Sequence, residues 1–259
     1  MPVFLFNEIV FGPVKSRRLG VSLGINLLPI DGKLCSFDCI YCECGLNAQG
    51  KGTTNIPTRE EVRQALENKL KQMKSQNSIP DVITFAGNGE PTIHPQFAGI
   101  IDDTIELRDR YCPTAKVSVL SNASRINEKD VFDALNKTDN NMLKLDSVDW
   151  EYIRRVNQPQ SDDFDVEKLI EGLKRFNGNL IIQTMFIQGE YNGEIIDNTT
   201  PEQIDAWLEA VCEINPQSVM VYTIERDTPT EGLRKVSPDR LNQIADRVKG
   251  EGFDVSVSY

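Results

Sequence analysis

The run Cys35-Ser36-Phe37-Asp38-Cys39-Ile40-Tyr41-Cys42 decides how the rest of the chain is read. It follows an apolar stretch, residues 22–28 (SLGINLL), that reads as a strand, so three thiols in the spacing CxxxCxxC sit on the loop beyond it. Thiolates are soft ligands, and three from one loop suit a single soft metal centre. A structural zinc site or an electron-transfer cluster is normally closed by four ligands; three leave one corner open. Cys44 is the alternative fourth ligand, although two residues beyond Cys42 the chain has to fold back sharply to bring it round. Cys112 and Cys212 stand alone near the ends of expected helices and read as packing residues.

Beyond this loop, β-branched runs alternate with amphipathic helices, as in βα units of a parallel sheet. Strands are expected at residues 22–28, 81–87, 116–122, 141–146, 180–187 and 218–224, with a seventh short run at 253–259. The helices carry start signals. Thr58 with Glu61 forms a capping box ahead of Val62, Leu66, Leu70 and Met73. Thr200-Pro201 with Gln203 as reciprocal cap, and Ser237-Pro238 with Gly250 as the stop, repeat the device. A further helix, with Val166, Leu169, Ile170, Leu173 and Phe176 on one face, stops at Gly178. With no Gly/Ser linker and no internal repeat, six such units read as one domain. The pattern alone fits a barrel or an open doubly wound sheet. Both place binding residues at the carboxyl ends of the strands.

The 259 residues are 39% hydrophobic and 26% charged, an ordinary globular composition able to bury a core without disulfides. With 28 basic against 39 acidic side chains the net charge is −11, which disfavours general nucleic-acid binding. The opening segment does not read as a signal peptide, because Glu8 interrupts its apolar part and no basic region precedes it. No uninterrupted apolar stretch is long enough for a membrane span. A cytoplasmic location is expected, where clustered cysteines point to metal.

The three-cysteine spacing, with the aromatic Tyr41 before the last cysteine, resembles the hallmark of the radical SAM superfamily. The resemblance implies a single-domain α/β fold, a partial (β/α)6 TIM-like barrel. Residues 1–34 would form the lead-in and first strand, 35–50 the cluster loop, and 225–259 a C-terminal helix and short strand. It implies that Cys35, Cys39 and Cys42 hold a [4Fe-4S] cluster whose free iron chelates S-adenosylmethionine. One electron from a flavodoxin- or ferredoxin-type donor would then yield methionine and a 5′-deoxyadenosyl radical that abstracts hydrogen from substrate. The stretches FGPVKSRRLGVSLGIN, CSFDCIYC and GNGEPTIHP resemble more closely a bacterial branch grouped with the tRNA wyosine-synthesis enzymes. The extra cysteines and basic elements of the eukaryotic and archaeal members are missing, so the likeness carries cofactor machinery rather than a tRNA substrate.

Further cofactor contacts are expected at later strand ends, with Tyr41 beside them. Gly87-Asn88-Gly89-Glu90-Pro91 is similar to the family's Gly-Gly-Glu segment: Gly87 and Gly89 let backbone approach a ligand, and Glu90 offers a partner for an ammonium. Ser121 and Asn122 offer hydrogen bonds to ribose or the methionine carboxylate. Lys144 can meet a carboxylate and Asp146 ribose hydroxyls, with Gln183 on the next strand. Arg17, Arg18 and Arg226 read either as an anionic-substrate site or as surface ion pairs, with Tyr222 nearby. The lone histidine, His94, reads as a turn residue or a substrate contact. The substrate class, in order of preference, is a small metabolite, a peptide or a modified nucleoside. A four-thiolate electron-transfer module and a glycyl-radical-type activating enzyme remain as alternatives.

Overall fold

The computed structural model describes residues 4–16, 20–50 and 52–259. Eleven strands and seven helices alternate along these residues. β1 (Val10–Ser16) and β2 (Gly20–Ile25) come first, then α1 (Arg59–Ser75), β3 (Val82–Phe85), α2 (Phe97–Tyr111) and β4 (Lys116–Ser121). α3 (Lys129–Leu135), β5 (Asn140–Lys144), α4 (Trp150–Val156), α5 (Val166–Lys174), β6 (Ile181–Met185), β7 (Ile187–Tyr191) and β8 (Glu194–Asp197) follow. The chain closes with α6 (Pro201–Ile214), β9 (Ser218–Tyr222), β10 (Leu233–Lys235), α7 (Pro238–Gly250) and β11 (Asp254–Ser258).

The main sheet runs in the order β1-β2-β3-β4-β5-β6-β9-β11, parallel throughout from β2 onward. Spatial order therefore follows chain order without a reversal. Right-handed crossovers then put every helix on the same face, which selects a barrel over a doubly wound sheet. The barrel is partial, since β11 pairs only with β9 and β1 only with β2 among the described residues. β1 lies antiparallel on β2, so the segment read as a mere approach is an edge strand. Arg17 and Arg18, expected near substrate, lie outside the described residues.

Side-chain alternation divides the two faces of this sheet. Leu23, Ile25, Ile83, Phe85, Val117, Val119, Leu143, Ile182, Val219 and Val221 join the helices in one buried cluster. Toward the lumen stand small or polar residues such as Ser22, whose Oγ meets Thr84 Oγ1 at 2.9 Å. The helix starts form as expected: Thr58 and Glu61 make a reciprocal capping box, and Thr200 and Ser237 cap α6 and α7. Gln203 departs from its expected capping role. Its side chain joins Ser147 and Asp149, tying α6 to the loop beyond β5. Cys112 is buried as expected, whereas Cys212 is exposed on α6 and is not a packing residue.

A second, three-stranded sheet, β10-β7-β8, interrupts the βα alternation. The run expected as one strand over 180–187 splits between β6 and β7, and Asn192-Gly193 turns the chain into β8 with positive φ at both residues. Ile187 on β7 and Ile196 on β8 pack with Phe37, Cys39, Ile40 and Tyr41 in a second apolar cluster. The small sheet therefore roofs the cysteine loop.

Trp207 links the helical layer to the strand ends, donating its indole N–H to Leu145 O at 3.0 Å while fully buried. Trp207→Phe should lower stability by about 1–3 kcal/mol, from the lost hydrogen bond and a small cavity. A reduced urea midpoint at unchanged denaturant slope would show it.

Candidate active site

The cysteine loop leaves β2 at Asn26, whose buried side chain accepts from Leu28 N and Asn88 N and donates to Leu28 O. Its backbone is then stitched down on both sides. Leu34 and Gly89 form a bridge, with Leu34 N donating to Asn88 O and Glu90 N to Leu34 O. Opposite, Asp38 N and Ile40 N donate to the last carbonyls of α4 and the residues after it, those of Val156, Asn157 and Gln158. Those carbonyls have no partner within their own helix, so the loop caps α4.

Gly87 and Gly89 serve this docking. A Cβ on Gly89 would stand 1.8 Å from Leu34 O, at φ +140°, and one on Gly87 would stand 2.3 Å from Asn26 Oδ1. The close approach they permit on the Cβ side is to the chain itself, at Asn26 and Leu34. Beneath the loop, buried Lys33 donates to Asp38 Oδ1 at 3.0 Å and to Gly45 O at 2.8 Å. Burial opposes its charge, but Cys42, Cys35, Cys39 and Asp38 outweigh that and raise its pKa. Asn47 completes the brace, donating its side-chain amide to Cys35 O and Phe37 O. None of Lys33, Asp38, Asn47 or Asn26 was singled out from the sequence.

The loop presents Cys35, Cys39 and Cys42 as free thiols. Burial, then the charge of Glu90, pushes the Cys35 thiol up to about 12. Cys42 is held down at about 6, chiefly because the Cys44 thiol donates to it, with Lys33 adding its charge. Cys44 is correspondingly raised and also reaches Gly87 O at 3.4 Å.

Glu90 is buried where β3 meets β4. Its Oε1 accepts from Thr92 N, Thr92 Oγ1 and Ser121 Oγ, and its Oε2 accepts from Asn122 N at 2.7 Å. Burial raises its pKa despite these donors. Asn122 and Ser121 thus join Glu90 to the loop, since Asn122 Nδ2 reaches Ser36 Oγ and Cys35 Sγ.

The β5 end forms a tighter knot. Tyr41 OH bonds Asp146, and Lys144 Nζ bonds Tyr41 OH and Cys39 Sγ. Asn157 donates to Asp146 Oδ2 at 2.8 Å. Asp146 Oδ1 accepts from Met185 N. Asp146, 3% exposed, thus spends Oδ2 on Tyr41 and Asn157 and has a single donor, Met185 N, on Oδ1. Lys144, raised in pKa against its burial first by Asp146 and then by Cys39, spends its charge on the same knot. Gln183 is buried as well, donating to Met142 O at 3.4 Å.

His94 lies apart from this network. Nδ1 accepts from Gln96 N at 3.0 Å, so Nε2 carries the proton and donates to Pro57 O at 2.7 Å. With both nitrogens used and 3% exposure, the substrate-contact alternative gives way to the structural one. Arg226 pairs with Glu43 at 2.5 Å and covers the Phe4 ring. It lines a cavity of about 390 Å³ in the barrel lumen, together with Phe6, Phe11, Thr84, Met185 and Tyr222. Glu43, between Cys42 and Cys44, lines the same cavity. The thiol loop and the lumen share a wall.

Among the described residues, no three ligating side chains close on a single ion. The fit to a polynuclear group rests on the donor chemistry: three unpaired thiols on one loop, with two buried ammonium groups and two amides beside them.

A partial parallel barrel with a three-thiol loop after its first parallel strand defines an enzyme class built on an iron–sulfur group and S-adenosylmethionine. The chain belongs to the radical SAM superfamily, which its residues 30–200 match. It is 32% identical over 237 residues to a UPF0026 protein of Helicobacter pylori, covering 90% of this chain and 71% of that one. A radical SAM methyltransferase from Sphaerobacter thermophilus superposes with TM-score 0.68 at 14% identity, over 92% of this chain and 66% of that chain. TYW1 with a lysine–pyruvate adduct bound superposes with TM-score 0.61 at 14% identity, over 88% and 73%. No helix of the described residues is long and apolar enough to cross a membrane.

Two outcomes follow from this geometry. Gly89→Ala should destabilise the chain by about 1–3 kcal/mol or more from backbone strain alone, and should lower the iron bound on reconstitution. Denaturation and iron analysis read the two effects. Burial depresses the His94 pKa, so its contribution is complete above the unfolded value of about 6.5 and is lost as pH falls through the folded value. The urea midpoint of His94→Asn should therefore fall less steeply than that of wild type between pH 7.5 and 5.5, both values on the order of one unit either side of that pKa.

Proposed function

We propose that the chain cleaves S-adenosylmethionine reductively on a [4Fe-4S] cluster held by Cys35, Cys39 and Cys42, and uses the product to abstract hydrogen from a small-molecule substrate. The observation that carries this reading is the wall shared by the thiol loop and the lumen, through Glu43. When bound, the cluster and cofactor supply one-electron cleavage of a carbon–sulfur bond, giving methionine and a hydrogen-abstracting 5′-deoxyadenosyl group. The protein supplies binding, orientation and exclusion of water. Glu90, with a single donor on Oε2, is the proposed partner for the cofactor's ammonium group, and Ser121 and Asn122 hold that carboxylate in place. Tyr41 flanks the cofactor with its ring fixed by Lys144 and Asp146. The β7–β8 hairpin keeps bulk water from Cys39 and Tyr41.

A lumen of about 390 Å³ narrowed by Phe6 and Phe11 suits a substrate of small-molecule size. Tyr222 and Arg226 are the proposed substrate contacts, with an external one-electron donor such as a flavodoxin or ferredoxin. In the four-thiolate alternative Cys44 closes the cluster. Cys44, two residues beyond Cys42, has to fold back sharply to reach that corner, which favours the three-thiol reading.

Anaerobic reconstitution with reductant should give 5′-deoxyadenosine from S-adenosylmethionine, measured by chromatography. Cys39→Ala should fall to background, while Cys44→Ala should keep both its iron and its turnover. A Cys44→Ala form that loses its cluster, or a Cys39→Ala form with wild-type yield, defeats the assignment.

A further inference from the structure

Two of the three proposed ligand sulfurs accept hydrogen bonds from side chains delivered by other parts of the fold. Asn122, beyond β4, aims Nδ2 at Cys35 Sγ from 3.6 Å. Asn157, just past α4, does the same to Cys39 Sγ from 3.6 Å, and Lys144 Nζ stands 3.4 Å from that sulfur. Lys144 is the last residue of β5, so three separate elements converge on two thiols. All three side chains are largely buried, where charges and dipoles act with little screening.

Each N–H directed at a ligand sulfur withdraws electron density from it. An ammonium at the same distance stabilises the more negative, reduced state of whatever the sulfur binds. We propose that Lys144, Asn157 and Asn122 are positioning residues that raise the reduction potential of the group held by Cys35, Cys39 and Cys42. The proposal rests on the cluster reading above. Lys144 carries the largest share, because it brings a full charge and its removal leaves the Asp146 carboxylate beside Cys39. Asn157 and Asn122 each contribute one neutral donor.

The test is a reductive titration of the whole reconstituted chain, followed by electron paramagnetic resonance in the absence of S-adenosylmethionine. Lys144→Met is expected to shift the reduction equilibrium at least about tenfold, which for one electron is about 59 mV to more negative potential. Asn157→Leu and Asn122→Leu shift it the same way by less. Lys137→Met, which removes an exposed lysine paired with Asp102, leaves it in place. Iron and sulfide are measured first. A wild-type chain that takes up no cluster defeats the reading of the thiols, a separate failure from potentials that do not move. Should Lys144→Met lose its cluster, the two asparagine variants decide, and unmoved midpoints in both overturn the proposal.

Discussion

The cysteine loop and the carboxyl end of α4 satisfy each other's backbone, and the site depends on that exchange. A helix leaves its last carbonyls without internal partners, and an irregular buried loop leaves its N–H groups in the same position. Here Asp38 N and Ile40 N meet the carbonyls of residues 156–158 at 2.9–3.0 Å, and Ile40 is fully buried. Each such group left unpaired would cost about 1–3 kcal/mol. The bridge between Leu34 and Gly89 does the same work on the other side. Held at both margins, the loop is docked so that Glu43, between Cys42 and Cys44, lines the lumen.

What was readable in the sequence was what local chemistry determines. Periodicity and capping residues located the parallel strands and α1, α5, α6 and α7 but gave no reading of α2, which lacks a side-chain cap, and Thr58 with Glu61 and Thr200 with Pro201 formed as their pattern dictates. The thiol spacing is a local property too. Residues that act across the fold were not readable. Lys33 looks like any surface lysine until Asp38 and Gly45 O close over it, and Asn157 looks like a helix end until the loop places Cys39 against it. The Asn192-Gly193 hairpin did carry a signal, flanked by apolar and β-branched residues, but the neighbouring strand run absorbed it. Glu90, Lys144 and Asp146 stand at the strand ends where they were expected. Their partners are mostly protein atoms, because a single sequence shows where a side chain is placed and not what else arrives there.

The charge distribution follows the same division. A net charge of −11 describes the surface. Around the thiols two cations, Lys33 and Lys144, are buried. A buried ammonium is costly unless paired. Asp38 and Asp146 pair these two, and the thiols add further negative charge. The fold thus holds two interior cations as parts of an arrangement that pairs each with a carboxylate and sets the sulfurs beside them.

The lumen shows why that arrangement faces inward. Barrel strands alternate between faces, and large apolar residues occupy the helix side, leaving the interior to Ser22, Gly24, Thr84 and Ala86 at one end. Gly24 has no side chain there because the Phe11 ring takes its place: a Cβ would stand 2.1 Å from that ring. Phe6 stacks on Phe11 with centroids 3.7 Å apart, and Asn88 holds Phe6 by both its N–H and its carbonyl. Asn88 also receives Leu34 N on its own carbonyl. One short turn after β3 therefore secures both the thiol loop and the aromatic wall of the cavity, so the position of the sulfurs and the size of the space beside them are set by the same few hydrogen bonds.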